Sequence, residues 1–188
     1  VILSSFLFIS ALAHFLIVSP RLNDFYNNNL KKGINYFRWF EYALSSSIMI
    51  ALIAMLFGVY DMSSLILIIG ANATMNLMGL MMEIHNQTTE KTNWISFIIG
   101  SFVGLFPWAV VLIHFFGSGA WSEIPWFVYA ALISYFVFFN LFPLNMYLQY
   151  KKIGKWSDYL YGERGYIILS LVAKSVLAWL VFGGTLQP

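Results

Sequence analysis

Six long apolar segments separated by short polar stretches make up most of this chain, at about 1–18, 39–60, 64–82, 95–116, 124–148 and 165–183. Each is close to the ~20 apolar residues that an α-helix needs to cross a bilayer. None alternates strictly between apolar and polar residues as a membrane β-strand would, and only a helix closes its backbone hydrogen bonds within one segment. Extending each segment into its flanks predicts helices at about 1–18, 28–60, 62–85, 93–117, 123–150 and 161–185, forming one all-α transmembrane domain over 1–188. The last segment breaks its own pattern: Tyr166 to Gly184 reads YIILSLVAKSVLAWLVFGG, with Lys174 near its middle. A lysine at that depth opposes insertion by roughly 2.5–3.5 kcal/mol and calls for a buried partner, a water-lined path or a covalent ligand.

Composition makes the class firm. With 60% hydrophobic and 10% charged residues and a mean hydropathy of +0.75, the chain cannot build a water-soluble surface. Its 188 residues suit six or seven hairpin-linked spans and leave no room for a soluble domain. The chain starts with Val1 inside an apolar run, so an earlier segment is expected to precede it, and no basic region marks a cleaved signal peptide. The absence of cysteine removes disulfides, thiol nucleophiles and thiolate metal sites.

The net charge of +2 points to a membrane orientation and not to a nucleic-acid partner, because of where the charges fall. If the spans alternate, Arg21, Lys31, Lys32, Arg38, Lys91, Lys151, Lys152, Lys155 and Arg164 share one side. The opposite loops hold Asp61 and Glu123. The positive-inside rule makes the basic side cytoplasmic and puts the C-terminus, ending in Gln187 and Pro188, outside the cell membrane. Trp39, Trp94 and Trp156 on one side, with Trp121 and Trp126 on the other, match interfacial aromatic belts.

Few ionisable groups lie within the spans: His14, Glu41, His114 and Lys174, with Glu83 and His85 near a cytoplasmic end. Desolvation favours the uncharged, nucleophilic form of a lysine amine, which condenses with an aldehyde to a Schiff base. Once protonated, that nitrogen is a buried cation and needs an anion; a carboxylate about 4 Å away contributes roughly 4 kcal/mol at an effective dielectric near 20. Glu41 is the carboxylate placed for this role, with Arg38 one turn toward the cytoplasm and Ser45 one turn deeper. The plainer alternative is a Glu41–Arg38 pair at the membrane edge. Matching the depth of Lys174 requires a continuous helix from about residue 28, and a helix starting after Tyr36 would undo the pairing.

Other polar residues follow helical spacing. Ser170 and Tyr166 precede Lys174 on one face, and Ser10 and His14 share a face of the first segment. Asn72, Met75, Pro107, Trp108, Phe138, Phe139 and Asn140 are candidates to enclose a long apolar ligand, although phenylalanine-rich lipid-facing helices give the same pattern. Gly100 with Gly104, and Gly183 with Gly184, are candidates for close helix packing. No phosphate-binding loop, zinc-protease or dinucleotide motif is present.

At this point the chain resembles the heliorhodopsins, a branch of the microbial-type retinal proteins. The resemblance rests on RWFEYALSSS at Arg38 to Ser47, NATMNLMG at Asn72 to Gly79, FPW at Phe106 to Trp108, KWSDYLYGERGYIILSLVAKS at Lys155 to Ser175, and the closing AWLVFGGTLQP. It implies a seven-helix rhodopsin bundle, of which this chain carries the second to seventh helices. It also implies all-trans retinal bound through a Schiff base to Lys174 with Glu41 as counterion. By position it implies retinal-pocket roles for Tyr42, Asn72, Met75, Trp108, Phe139, Trp179 and Ser170, and a polar network of Ser10, His14, Arg38, Ser45 and Ser46. Inverted topology and a homodimer in the lipid bilayer complete the expectation.

The resemblance favours a photosensory receptor, without enzymatic activity, that signals to a cytoplasmic partner. In pumps of the microbial-rhodopsin type a second carboxylate stands 11 residues along the counterion's helix; here that position is Leu52. An outward proton pump is therefore not expected. A light-gated proton-conducting channel is the first alternative, and a transporter with a plain buried Lys174–Glu41 pair the second.

Overall fold

The computed structural model describes residues 2–117, 119 and 124–186. Trp121, Glu123, Gln187 and Pro188, and with them the expected helix start near 123 and the C-terminal tail, lie outside the described residues. The described chain is all-helical and comprises two compact units, residues 1–119 and 120–188. The first holds α1 (Ile2–Val18), α2 (Pro20–Leu30), α3 (Tyr36–Leu56), α4 (Met62–His85) and α5 (Ile95–Gly117). The second holds α6 (Trp126–Tyr150), a 3-10 turn (Gly154–Ser157) and α7 (Tyr159–Thr185). Helices α3 to α7 are each long and apolar enough to cross a membrane, and α1 with α2 would make a sixth span only as one broken element bent by 90°. Large apolar side chains such as Phe8, Ile113 and Leu171 are exposed, as lipid-facing surfaces require.

The bend after α1 is written at Ser19-Pro20. A residue before proline is pushed out of helical geometry, and Ser19 is extended (φ −64°, ψ 139°) with Pro20 opening α2. Ser19 Oγ donates to the Leu16 carbonyl (2.6 Å) and Asn23 Nδ2 to that of Ile17 (3.1 Å), satisfying the open end of α1. The continuous helix expected from about residue 28 is not what forms. Gly33 takes a left-handed φ of 75°, and Asn35 caps a new helix by accepting the Arg38 N–H at 3.0 Å. Helix α3 therefore starts at Tyr36. Around its start Ile34, Asn35, Arg38 and Trp39 are buried, while Tyr36 and Phe37 are half-buried. The helix continuous from about residue 28 that was expected to bring Glu41 to the depth of Lys174 is therefore absent, although α3 begins at Tyr36 and not after it.

In the first unit α3 is the central helix, packing on α1 and α4, and α4 packs on α5. Two glycines set these distances. A Cβ at Gly79 would land in the Trp39 ring, and one at Gly100 would stand 2.9 Å from the Met78 Cβ. Gly79→Ala is expected to destabilise the fold by roughly 1–3 kcal/mol, because the ring it displaces is anchored at its own nitrogen. Gly70→Ala, where a Cβ meets nothing within 4 Å, serves as control in thermal unfolding of the detergent-solubilised protein. At the other end of α4, Asp61 accepts the Ser64 N–H at 2.7 Å, which holds its carboxyl below the usual carboxylate range.

In the second unit α6 packs along α7. A Cβ at Gly165 would stand 2.6 Å from the Asn145 amide oxygen, and one at Gly184 would strike the Phe127 ring. Asn145 Nδ2 donates to the Gly162 carbonyl (3.0 Å), Asn145 Oδ1 accepts from Trp156 Nε1 (2.8 Å), and Gln149 Nε2 donates to the Tyr159 carbonyl (3.1 Å). These bonds tie α6 to the first turns of α7 and, through Trp156, to the turn between them. Asp158 caps α7 by accepting the Leu160 N–H at 3.0 Å.

Candidate functional site

Lys174 lies in α7 among apolar neighbours and is 5% exposed. Ser170 precedes it by one helical turn, and Lys174 Nζ donates to Ser170 Oγ at 2.9 Å. Two turns back, Tyr166 is fully enclosed and its ring lies 6.2 Å from that of Phe142 on α6. The helix thus supplies a primary amine, a hydroxyl beside it and an apolar lining. Phe139 is half-buried on α6, with its ring 6.1 Å from that of Tyr135. Trp179 departs from its expected pocket role: it is 71% exposed and stacks edge-on with Phe182. Five residues along a helix from Lys174 carry it off the lysine's face.

In the first unit Glu41 is buried on α3, and its carboxylate accepts the Ser10 hydroxyl from α1 at 2.5 Å. The same hydroxyl is 3.1 Å from the Phe6 carbonyl, so its single proton can serve either, and the shorter, charge-assisted contact is with the carboxylate. His14, one turn after Ser10, is exposed on α1. Tyr42 is buried with its ring edge-on to Trp39. Ser45, a turn beyond Glu41, is fully enclosed, and its Oγ has no hydrogen-bond partner among the described residues.

Ser46 and Ser47 join α3 to α4. Asn72 Nδ2 donates to Ser46 Oγ (2.7 Å) and Ser47 Oγ (3.0 Å), and Asn76 Nδ2 donates to Ser46 Oγ (3.0 Å). Asn76, which is not among the residues expected from the sequence, lies four from Asn72, the spacing of a shared helical face. Met75 is half-buried between them in sequence, and Trp108 is buried on α5 beside Pro107.

The largest surprise concerns Arg38. Its guanidinium forms an ion pair with Glu83 of α4, and both side chains are buried. The Glu83 carboxylate also accepts the Trp39 indole N–H (2.7 Å) and the Asn35 backbone N–H (2.9 Å). Glu83 therefore gathers three groups from the start of α3, and the Arg38 charge lies over the Trp39 ring at 4.5 Å. Arg38, expected in the plainer alternative to pair with Glu41, thus forms an ion pair with a carboxylate of another helix.

A buried primary amine with a hydroxyl beside it fits the attachment of an aldehyde. A buried carboxylate with an enclosed, unpartnered hydroxyl one turn away fits a site that balances a cation. No curated protein matches this chain. The family model described as Heliorhodopsin matches residues 1–186, nearly the whole chain, through both units and all seven helices. This multi-pass membrane protein of the rhodopsin fold, with the retinal-binding, light-sensing character that the fold's family implies, belongs to the heliorhodopsin family.

Proposed function

We propose that the protein is a photosensory receptor in which Lys174 Nζ holds all-trans retinal covalently and Glu41 supplies the balancing negative charge. Retinal, when bound, supplies visible absorption and a light-driven isomerisation about a double bond. The observation that carries the reading is the Lys174 amine, enclosed in a membrane-spanning helix with the Ser170 hydroxyl at 2.9 Å. An amine there is worth its cost when it carries a ligand. Glu41 is held by the Ser10 hydroxyl, so a change in the charge that Glu41 faces alters the α1–α3 contact directly. Arg38 lies one turn from Glu41, and its pair with Glu83 carries such a change to the basic, cytoplasmic end of α3 and α4. A cytoplasmic signalling partner reads it there, in a homodimer whose C-terminus is extracellular.

Proton transport is disfavoured by the same helix. Polar residues continue along α3 through Ser45, Ser46 and Ser47, but the buried positions beyond them are Met49, Ile50, Ala51, Ile53 and Ala54. With Leu52 where a pump's second carboxylate would stand, α3 offers no group to pass a proton onward. The test is to express the full chain with retinal in voltage-clamped cells. A visible absorption band with no sustained photocurrent at any holding voltage is expected. Sustained current would replace the receptor with a light-gated channel, and a colourless protein would remove the retinal site.

A further inference from the structure

Helix α2 serves no part of the light response described above. It leaves α1 at 90°, and none of its 11 residues is buried in the unit. Leu22, Phe25, Tyr26 and Leu30 fall on one face of it. The rings of Phe25 and Tyr26 contact those of Tyr36 and Phe37 at 6.0–6.2 Å, which ties α2 to the first turn of α3, yet Phe25 remains 50% exposed. Arg21 lies in the first turn of α2, Lys31 and Lys32 follow the helix, and all three are exposed. Against them stands Asp24, so the element carries three positive charges and one negative, a net of +2.

We infer that α2 is a binding element for anionic lipid headgroups, lying in the bilayer interface with Phe25 at the acyl boundary and Arg21, Lys31 and Lys32 on the phosphates. Two features select a lipid surface over an acidic protein. One is covalent: Ser19 alone separates α2 from α1, and residues 31–35 alone separate it from the membrane-spanning α3. That short tether holds the element at headgroup level. The other is chemical: an amphipathic helix with a half-exposed phenylalanine and flanking cations matches the apolar boundary and anionic layer of a leaflet together. With α1 along the bilayer normal, a 90° bend lays α2 in the plane of the membrane.

Because the chain has no cysteine, Phe25→Cys creates a unique labelling site for an environment-sensitive fluorophore. The labelled full chain is placed in nanodiscs of phosphatidylcholine, with or without phosphatidylserine, containing a headgroup nitroxide. Quenching by the nitroxide is expected in both, stronger with phosphatidylserine and reversed by salt. Substituting Arg21, Lys31 and Lys32 by Gln in the labelled chain should bring the phosphatidylserine result down to the phosphatidylcholine level, with about a fivefold loss of partition per charge. Quenching by aqueous iodide in place of the nitroxide would overturn the proposal by placing α2 in water, open to a soluble partner. Equal nitroxide quenching in both lipids would overturn it by showing apolar burial without headgroup recognition. Both leaflets of a nanodisc have the same composition and the readout needs no retinal, so this result stands apart from the proposed orientation and light response. Elution of each variant as a single species confirms that it has folded.

Discussion

Lys174→Ala is expected to abolish the visible band of the retinal-reconstituted protein, while Glu41→Gln is expected to keep a band and move it to longer wavelength. Alanine removes the one amine that α7 encloses and leaves the Ser170 hydroxyl without the partner it has at 2.9 Å. Free retinal without a covalent, charged attachment absorbs outside the visible band, so the loss should be complete. Glutamine at position 41 keeps the size of the side chain and an oxygen for the Ser10 hydroxyl while removing the negative charge. In the proposed site that charge would stabilise a cation localised at the attachment nitrogen more than an excited state whose charge has spread along the polyene, so its removal would narrow the gap. A visible band that persists covalently in Lys174→Ala would refute the attachment site. An unshifted Glu41→Gln band would assign the balancing charge to another carboxylate. Circular dichroism separates a colourless folded variant from an unfolded one.

The second large effect belongs to Glu83. Glu83→Ala is expected to destabilise the protein by roughly 3–5 kcal/mol, the usual consequence of leaving one half of a buried ion pair alone. The variant strands the Arg38 guanidinium and withdraws the acceptor of the Trp39 indole and the Asn35 N–H. These groups form the buried start of α3, so the damage is expected to reach Glu41, one turn on. Thermal unfolding in detergent measures the loss. Replacing both partners, Arg38→Met with Glu83→Leu, should recover a large part of it, since paired apolar groups leave no uncompensated charge. A single variant as stable as the parent would show that the pair is not buried as described.

The class of the fold was legible because hydrophobicity belongs to each residue separately. Runs of some twenty apolar residues must be membrane helices whatever their neighbours, and the described helices α3 to α7 occupy those runs. Gly100 and Gly184 could be marked as packing positions for a similar reason, since a missing side chain is visible in the text, and both stand where a Cβ would strike the adjoining helix, whereas a Cβ at Gly183, marked with them, would meet nothing within 4 Å. Helix α2 was not legible. Its residues, PRLNDFYNNNL, are polar enough to read as a loop, and it is held by Phe25 and Tyr26 against rings that follow it in the chain. The continuous helix expected through residues 28–35 failed for a local reason, a left-handed Gly33 and a capping Asn35, which an isolated glycine and asparagine only weakly announce.

By itself, then, the sequence determined the membrane class, the five long apolar helices α3 to α7, and the short set of ionisable residues within the apolar segments, among which Lys174 and Glu41 stand out. Each of these follows from the solvation of single side chains. The tertiary structure alone decided who partners whom: Arg38 with Glu83 across 45 residues, Glu41 with Ser10 across 31, and Asn72 and Asn76 with the serines of α3. It also turned His14 and Trp179 to exposed faces. Partner choice depends on the rotation of each helix about its axis and on which distant helix lies beside it. Both are set by the packing of whole faces, including Trp39 on Gly79, and no single residue or spacing along the chain carries them.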